Sequence, residues 1–121
     1  MLLDERLERE LVSNLLAYLV LKCVEVHNGK SYGYQMKQFI EKLLNKEVAE
    51  GTLYPLLAKL ADENKYGCLE SFIEQGSNRP RRYYTLTEKG RNQLAIWPRR
   101  WEELVTMVMD VLNQVGGLAE A

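Results

Sequence analysis

Hydrophobic positions recur along this chain with two different periods. From Asp4 to His27 leucines stand at every fourth residue, Leu7, Leu11, Leu15 and Leu19. A second stripe of Val12, Leu16, Val20 and Val24 runs beside them. The spacing predicts a helix with two apolar sides, and such a helix must be covered twice. One cover is the core of the domain, and the other is available to a second copy of the chain. Asn28 and Gly29 end the segment. Ser31 offers a cap for a second helix, in which Met36, Phe39, Ile40, Leu43 and Leu44 keep the i, i+3, i+4, i+7, i+8 spacing. After the turn Asn45 to Glu47 comes EGTLYPLLAKL, residues 50–60. Here Leu53, Leu56, Leu57 and Leu60 share one face, while Thr52, Pro55, Lys59 and Asp62 point away from it. Pro55 is tolerable because the first backbone N–H groups of a helix have no partner inside it. The small residues Gly51 and Thr52 suit an end that approaches something closely.

The period then changes. CLESFIE and RRYYTL read as two strands rich in Phe, Ile, Tyr and Thr, joined by the turn QGSNRP, residues 75–80. Strand alternation sends one of Tyr83 and Tyr84 inward and the other outward. Thr87 caps a last, long helix. In it Leu94, Trp97, Trp101, Leu104, Val108, Val111 and Val115 alternate steps of three and four, the mark of a coiled-coil seam. Pro98 is expected to kink this helix or delay its regular part, and Gly116 and Gly117 to stop it.

Three helices, a hairpin and a long helix make a mainly α chain with a small β-hairpin. The order is that of a winged helix-turn-helix over residues 1–86 followed by a C-terminal dimerisation helix over 87–121. In such a fold the third helix can enter the major groove of a duplex while the hairpin reaches along the backbone.

Composition narrows this reading only in part. At 121 residues there is room for one small domain. The net charge of -1 gives bulk electrostatics no preference for nucleic acid, so such a case rests on local clusters. Arg79, Arg81 and Arg82 form one, next to Ser77 and Asn78 at the hairpin tip; the alternative is a solvated strand edge protected by charge. Lys37, Lys46 and Lys59 are weaker candidates of the same kind. Thr52 is a phosphate or thymine contact, a helix cap, or both. Tyr54 either bonds phosphate or packs on the second helix, and one of Tyr32 and Tyr34 can face a DNA backbone. Cys23 and Cys68 belong to no CxxC pair and read as reduced, buried residues, and no metal or cofactor is expected. The charged N-terminus lacks the apolar core of a signal peptide, and the apolar run Leu15 to Leu21 is too short to span a bilayer. A cytoplasmic protein is expected. No nucleophile–base set or Gly-rich phosphate loop is present, so an enzyme is not expected.

EGTLYPLLAKL together with RPRRYYTLTEKGRNQL resembles the PadR family of bacterial transcriptional regulators, whose pattern joins a GTLYPLL helix to a basic wing ending in YYxLTxKG. YGYQM resembles its usual start of the second helix. The likeness covers about residues 10 to 112. It implies a homodimeric repressor on a palindromic operator, with Gly51, Thr52 and Tyr54 at the start of the reading helix, Arg79, Arg81 and Arg82 on the wing, and the tail helix crossing to the partner's first helix. The interface residues are then Leu11, Leu15, Leu19, Leu94, Trp97, Trp101, Leu104, Val108, Val111 and Val115. Some members of the family hold flat aromatic ligands between interface tryptophans, which makes Trp97 and Trp101 candidates for an effector site; the alternative is that the rings fill the seam. The chain departs from the pattern in the longer stretches ENKYGCLES and HNGKS, in Ala49 where a capping serine is common, and in the acidic Glu50, Asp62 and Glu63. A winged-helix module that binds protein and not DNA is the rival reading, supported by the acidic balance.

Overall fold

The computed structural model describes residues 3–76 and 78–120; Ser77, expected at the wing tip, lies outside the described residues. The elements are α1 (Leu3–Val26), β1 (Ser31–Tyr32), α2 (Gly33–Leu44), α3 (Glu50–Ala61), β2 (Leu69–Gln75), β3 (Pro80–Leu86) and α4 (Glu88–Glu120). α1 ends where Asn28 and Gly29 turn to positive φ, 62° and 86°, and the Gly29 N–H returns to the Val24 carbonyl at 2.9 Å. That bond satisfies one of the carbonyls left over at a helix end. α2 stops in the same way at Asn45, φ 52°.

Ser31 does not cap α2. It pairs with Tyr84, as Tyr32 does with Tyr83, in a short antiparallel strand, so the sheet has the order β1-β3-β2 and is more than the expected two-stranded hairpin. The pairing draws Ser31 into the core, where its hydroxyl donates to Gln35 Oε1 at 2.6 Å and lies 3.5 Å from Cys23 Sγ. Tyr32 becomes the N-cap, without a side-chain bond. A backbone ladder to a strand fifty residues away outcompetes the local cap.

α3 buries Leu53, Leu56, Leu57 and Leu60 as its spacing predicts. Pro55 is the sixth residue of the helix and forfeits only the bond its N–H would have made to the Gly51 carbonyl. β2 and β3 pair from Leu69↔Leu86 to Gln75↔Pro80. Tyr84 is buried and Tyr83 lies on the outer face.

α4 begins as expected. Thr87 Oγ1 accepts the Gly90 N–H at 3.0 Å and donates to the Gly67 carbonyl at 2.7 Å. A side chain at Gly90 would collide with the carbonyl of Cys68, so only glycine lets this first turn sit against the entry to β2. The helix runs through Pro98 and, against expectation, through Gly116 and Gly117 to Glu120. Neither glycine takes a left-handed φ, and each costs a helix only about 1 kcal/mol.

The core gathers Leu16, Val20 and Val24 of α1, Met36 and Ile40 of α2, the four leucines of α3, and Leu69, Tyr84 and Leu94. Leu94, placed in the seam by its spacing, is 7% exposed and packs against the core of the same chain. The heptad count sees periodicity but not that the first turns of α4 lie across the body.

Candidate nucleic-acid interface

With the leucines of α3 turned inward, its other side is bare. Gly51, Thr52, Tyr54, Pro55, Ala58 and Lys59 are all exposed. Gly51 has no atom of the chain within 4 Å of where a side chain would begin, so a partner can approach the backbone there. Thr52 is not the cap; that place falls to Ala49, which has no side chain able to bond. Tyr54 lies over Gly33 at the start of α2. A β-carbon on Gly33 would stand 2.8 Å from the Tyr54 ring and hydroxyl, so the glycine of YGY makes room for the tyrosine of GTLYPLL. The ring packs on the second helix while the residue stays 46% exposed. Lys59 forms no ion pair among the described residues.

Lys37 is placed otherwise. Its ammonium pairs with Glu41 at 3.2 Å, and Glu41 Oε2 accepts the Val48 N–H at 2.8 Å. The backbone N–H first, and Lys37 second, hold the Glu41 carboxyl below the ordinary carboxylate range, and Glu41 in turn raises Lys37. These contacts clamp the turn that aims α3. Lys37 therefore has a partner within its own helix, and a phosphate would compete with Glu41 for it.

The three wing arginines share a strand region but not a face. Arg81 lies 4.1 Å above the Tyr32 ring, which stands edge-on to Tyr83 at 5.5 Å; Tyr83 stacks on Phe72 at 6.0 Å. Lys30 sits 4.6 Å over Tyr83 and 2.9 Å from Glu74. Arg82, one residue on, points to the opposite side, where its Nη1 donates to Ser71 Oγ at 3.0 Å. Arg79 and Asn78 are exposed at the tip, where the Gly76 N–H closes the turn on the Arg79 carbonyl at 3.1 Å. Sequence reasoning missed Lys30, Phe72 and Tyr83 as one cationic and aromatic face. The alternation of the strands required one of Tyr83 and Tyr84 to face outward without saying which, and Lys30 and Tyr32 join Tyr83 only because β1 pairs with β3.

On another side of the molecule the outer stripe of α1 meets α4. Leu11, Leu15, Trp97, Trp101, Leu104 and Val108 line a groove of about 940 Å³. Tyr18 holds Trp97 at 6.2 Å between ring centres. Leu19 is half-buried against the core, whereas Leu104, Val108, Val111 and Val115 remain about half exposed. Thus the structure brings Leu11, Leu15 and the tryptophans together, and leaves Leu94 and Leu19 with the body. No helix among the described residues is long and apolar enough to cross a membrane.

The model of the Transcriptional regulator PadR-like family matches residues 20–96, well over half of the chain. Among curated proteins, none matches the sequence significantly. Several solved structures are similar. The Streptococcus mutans UA159 protein smu.1704 has 32% identity and a TM-score of 0.65, covering 84% of this chain and 89% of its own. A PadR-like transcriptional regulator from Bacillus cereus has 27% identity and a TM-score of 0.66, covering 85% and 96%. Bacillus subtilis PadR, in complex with operator DNA, has 28% identity and a TM-score of 0.56, covering 69% of this chain and 45% of its own. The chain belongs to the PadR-like family of transcriptional regulators, and is a regulator and not an enzyme.

Proposed function

We propose that two copies of this chain bind a palindromic operator in the cytoplasm and repress transcription. The observation that carries this is the bare side of α3, with open space at Gly51 and exposed Thr52, Pro55 and Lys59, presented beside a wing that bears Arg79, Arg81 and Arg82. The operator complex of Bacillus subtilis PadR supports it. In this reading residues 1–86 form the reading body and 87–121 the dimerisation arm. The α4 seam sets two reading helices about 34 Å apart, one turn of the duplex. Thr52, Pro55 and Ala58 suit contacts with bases and thymine methyls, and the wing arginines suit phosphates. Tyr54 adds its hydroxyl at the rim. An effector at Trp97 and Trp101 would act by favouring one arrangement of the two bodies over the other.

Selection of bound duplexes from a random pool, repeated at rising salt, tests this. The expected result is a palindrome, bound with a salt slope that falls by about one for each of Arg79, Arg81 and Arg82 changed to alanine. No enrichment at low salt would favour the protein-binding module, which the acidic Glu50, Asp62 and Glu63 beside the reading face would then explain.

A further inference from the structure

The exposed side of α3 has an order of its own. At about 100° per residue, Gly51, Pro55 and Ala58 form a line opposite the buried leucines. Thr52 and Lys59 stand on one flank of that line, and Glu50 and Tyr54 on the other. Asp62 continues the line past the helix end, but its carboxylate accepts the Asn64 N–H at 2.9 Å. The ridge that would go deepest into a groove thus carries a hydrogen atom, a pyrrolidine ring and a methyl group. None of these side chains donates or accepts a hydrogen bond. Lys59 apart, α3 holds none of the side chains, Arg, Lys, Asn or Gln, that grip guanine or adenine by paired hydrogen bonds. Nothing in the chain lies within 4 Å of where a Gly51 side chain would begin, so the helix can approach a partner along its backbone.

Such a ridge cannot tell base pairs apart by their donors and acceptors. The one apolar mark that a base pair shows in the major groove is the C5 methyl group of thymine. We propose that this protein selects its operator as a reader of 5-methylpyrimidines, with Pro55 and Ala58 against pyrimidine methyl groups in each half-site and the Thr52 methyl beside them. This rests on the regulator reading and names what its reading helix recognises. Each methyl group contributes in proportion to the apolar surface it loses to water, and the small side chains of the ridge let the helix come close enough to cover it. Uracil shows the same hydrogen-bonding groups as thymine and lacks only the methyl, whereas 5-methylcytosine keeps the methyl on a different base. Lys59 would favour guanine or a phosphate and has no means to distinguish thymine from uracil.

The test offers the full chain two random duplex pools, one made with thymidine and one with deoxyuridine throughout. The thymidine pool should yield a palindrome with thymine in each half-site, and the deoxyuridine pool should enrich it poorly. In titrations of the recovered palindrome, uracil in place of each contacted thymine should weaken binding about fourfold, the worth of one buried methyl group. Cytosine at the same place should also weaken it, and 5-methylcytosine should restore most of that loss. The salt slope should stay constant throughout, because the phosphate contacts do not change. Pro55→Ala and Ala58→Gly should shrink the ratio of thymine to uracil affinity, while Lys59→Ala leaves it. That ratio compares two duplexes on one protein, so a partly unfolded variant does not disturb it. A palindrome bound equally well with uracil, half-sites without thymine, or a ratio that follows Lys59 and not Pro55 and Ala58 would each overturn the methyl readout and leave the regulator reading standing. No enrichment from either pool at low salt would instead refute the regulator reading, and this inference with it.

Discussion

The body and the arm of this protein use similar apolar residues to opposite ends. In the body Leu53, Leu57, Met36, Ile40 and Val20 are wholly buried, each covered by elements of the same chain. Along α4 the covering stops after Trp101. Leu104, Val105, Val108, Met109, Val111, Leu112 and Val115 are all about half exposed, which is as much cover as a helix gives its own side chains. The apolar band is also broader than a two-helix seam, since Val105, Met109 and Leu112 lie beside the heptad positions. A soluble monomer rarely leaves so large a contiguous apolar surface bare. The body is thus folded by its own contacts, whereas the arm keeps an uncovered apolar band, which supports the proposed dimer.

The sharpest break of this contrast is Leu104→Asp with Val111→Asp. If two arms meet there, each carboxylate loses water without a partner, at about 3–5 kcal/mol apiece. The variant should sediment as a monomer at micromolar concentration, lose operator binding by two or more powers of ten, and keep the helical circular dichroism of the body. Leu57→Ala should do the reverse. A fully buried leucine truncated to alanine costs about 2–5 kcal/mol, read as a lowered denaturation midpoint. Because its contacts lie within one chain, that loss should not depend on protein concentration, whereas the effect of a seam substitution should. Gly90→Ala comes next, at about 1–3 kcal/mol, since the β-carbon must push the start of α4 away from Cys68. A neutral result in thermal denaturation would show that this turn yields easily.

The smallest effect concerns acid. Val48 N–H and Lys37 hold the Glu41 carboxyl below its ordinary range, so its contribution is complete above the unfolded carboxylate value of about 4.3. It is lost as pH falls through the lower folded value. Glu41→Gln should therefore lower stability slightly between pH 6 and 8, where the contribution is complete, and converge with the parent in acid, where it is lost, so that the acid limb of the stability curve is flatter; a variant whose difference from the parent does not depend on pH would refute the clamp.

The start of α2 shows how legible the candidate site was. Gly33 in YGY and Tyr54 in GTLYPLL were each readable as motif residues, but their reliance on one another was not, because twenty residues of chain separate them and only the packing of α2 on α3 sets the ring over the glycine. The wing behaves likewise. Alternation along β3 separates Arg81 from Arg82, yet the stacking of Arg81 on Tyr32 needs β1, a two-residue strand with no local signal.

What the sequence determined by itself is what repeats at short range: the inward leucines of α3, the cap at Thr87, the ends of α1 and α2 at Asn28 and Asn45, and the heptad steps along α4. These follow from the period of a helix and the few residues that tolerate its ends. The tertiary structure alone decided where long-range pairing or close approach competes with local preference. It took Ser31 from a cap into the core and Leu94 from the seam into the body, and it gave Lys37 a carboxylate partner tied to the turn before α3. Each outcome depends on which distant group lies within a few ångströms, and no count along the chain contains that distance.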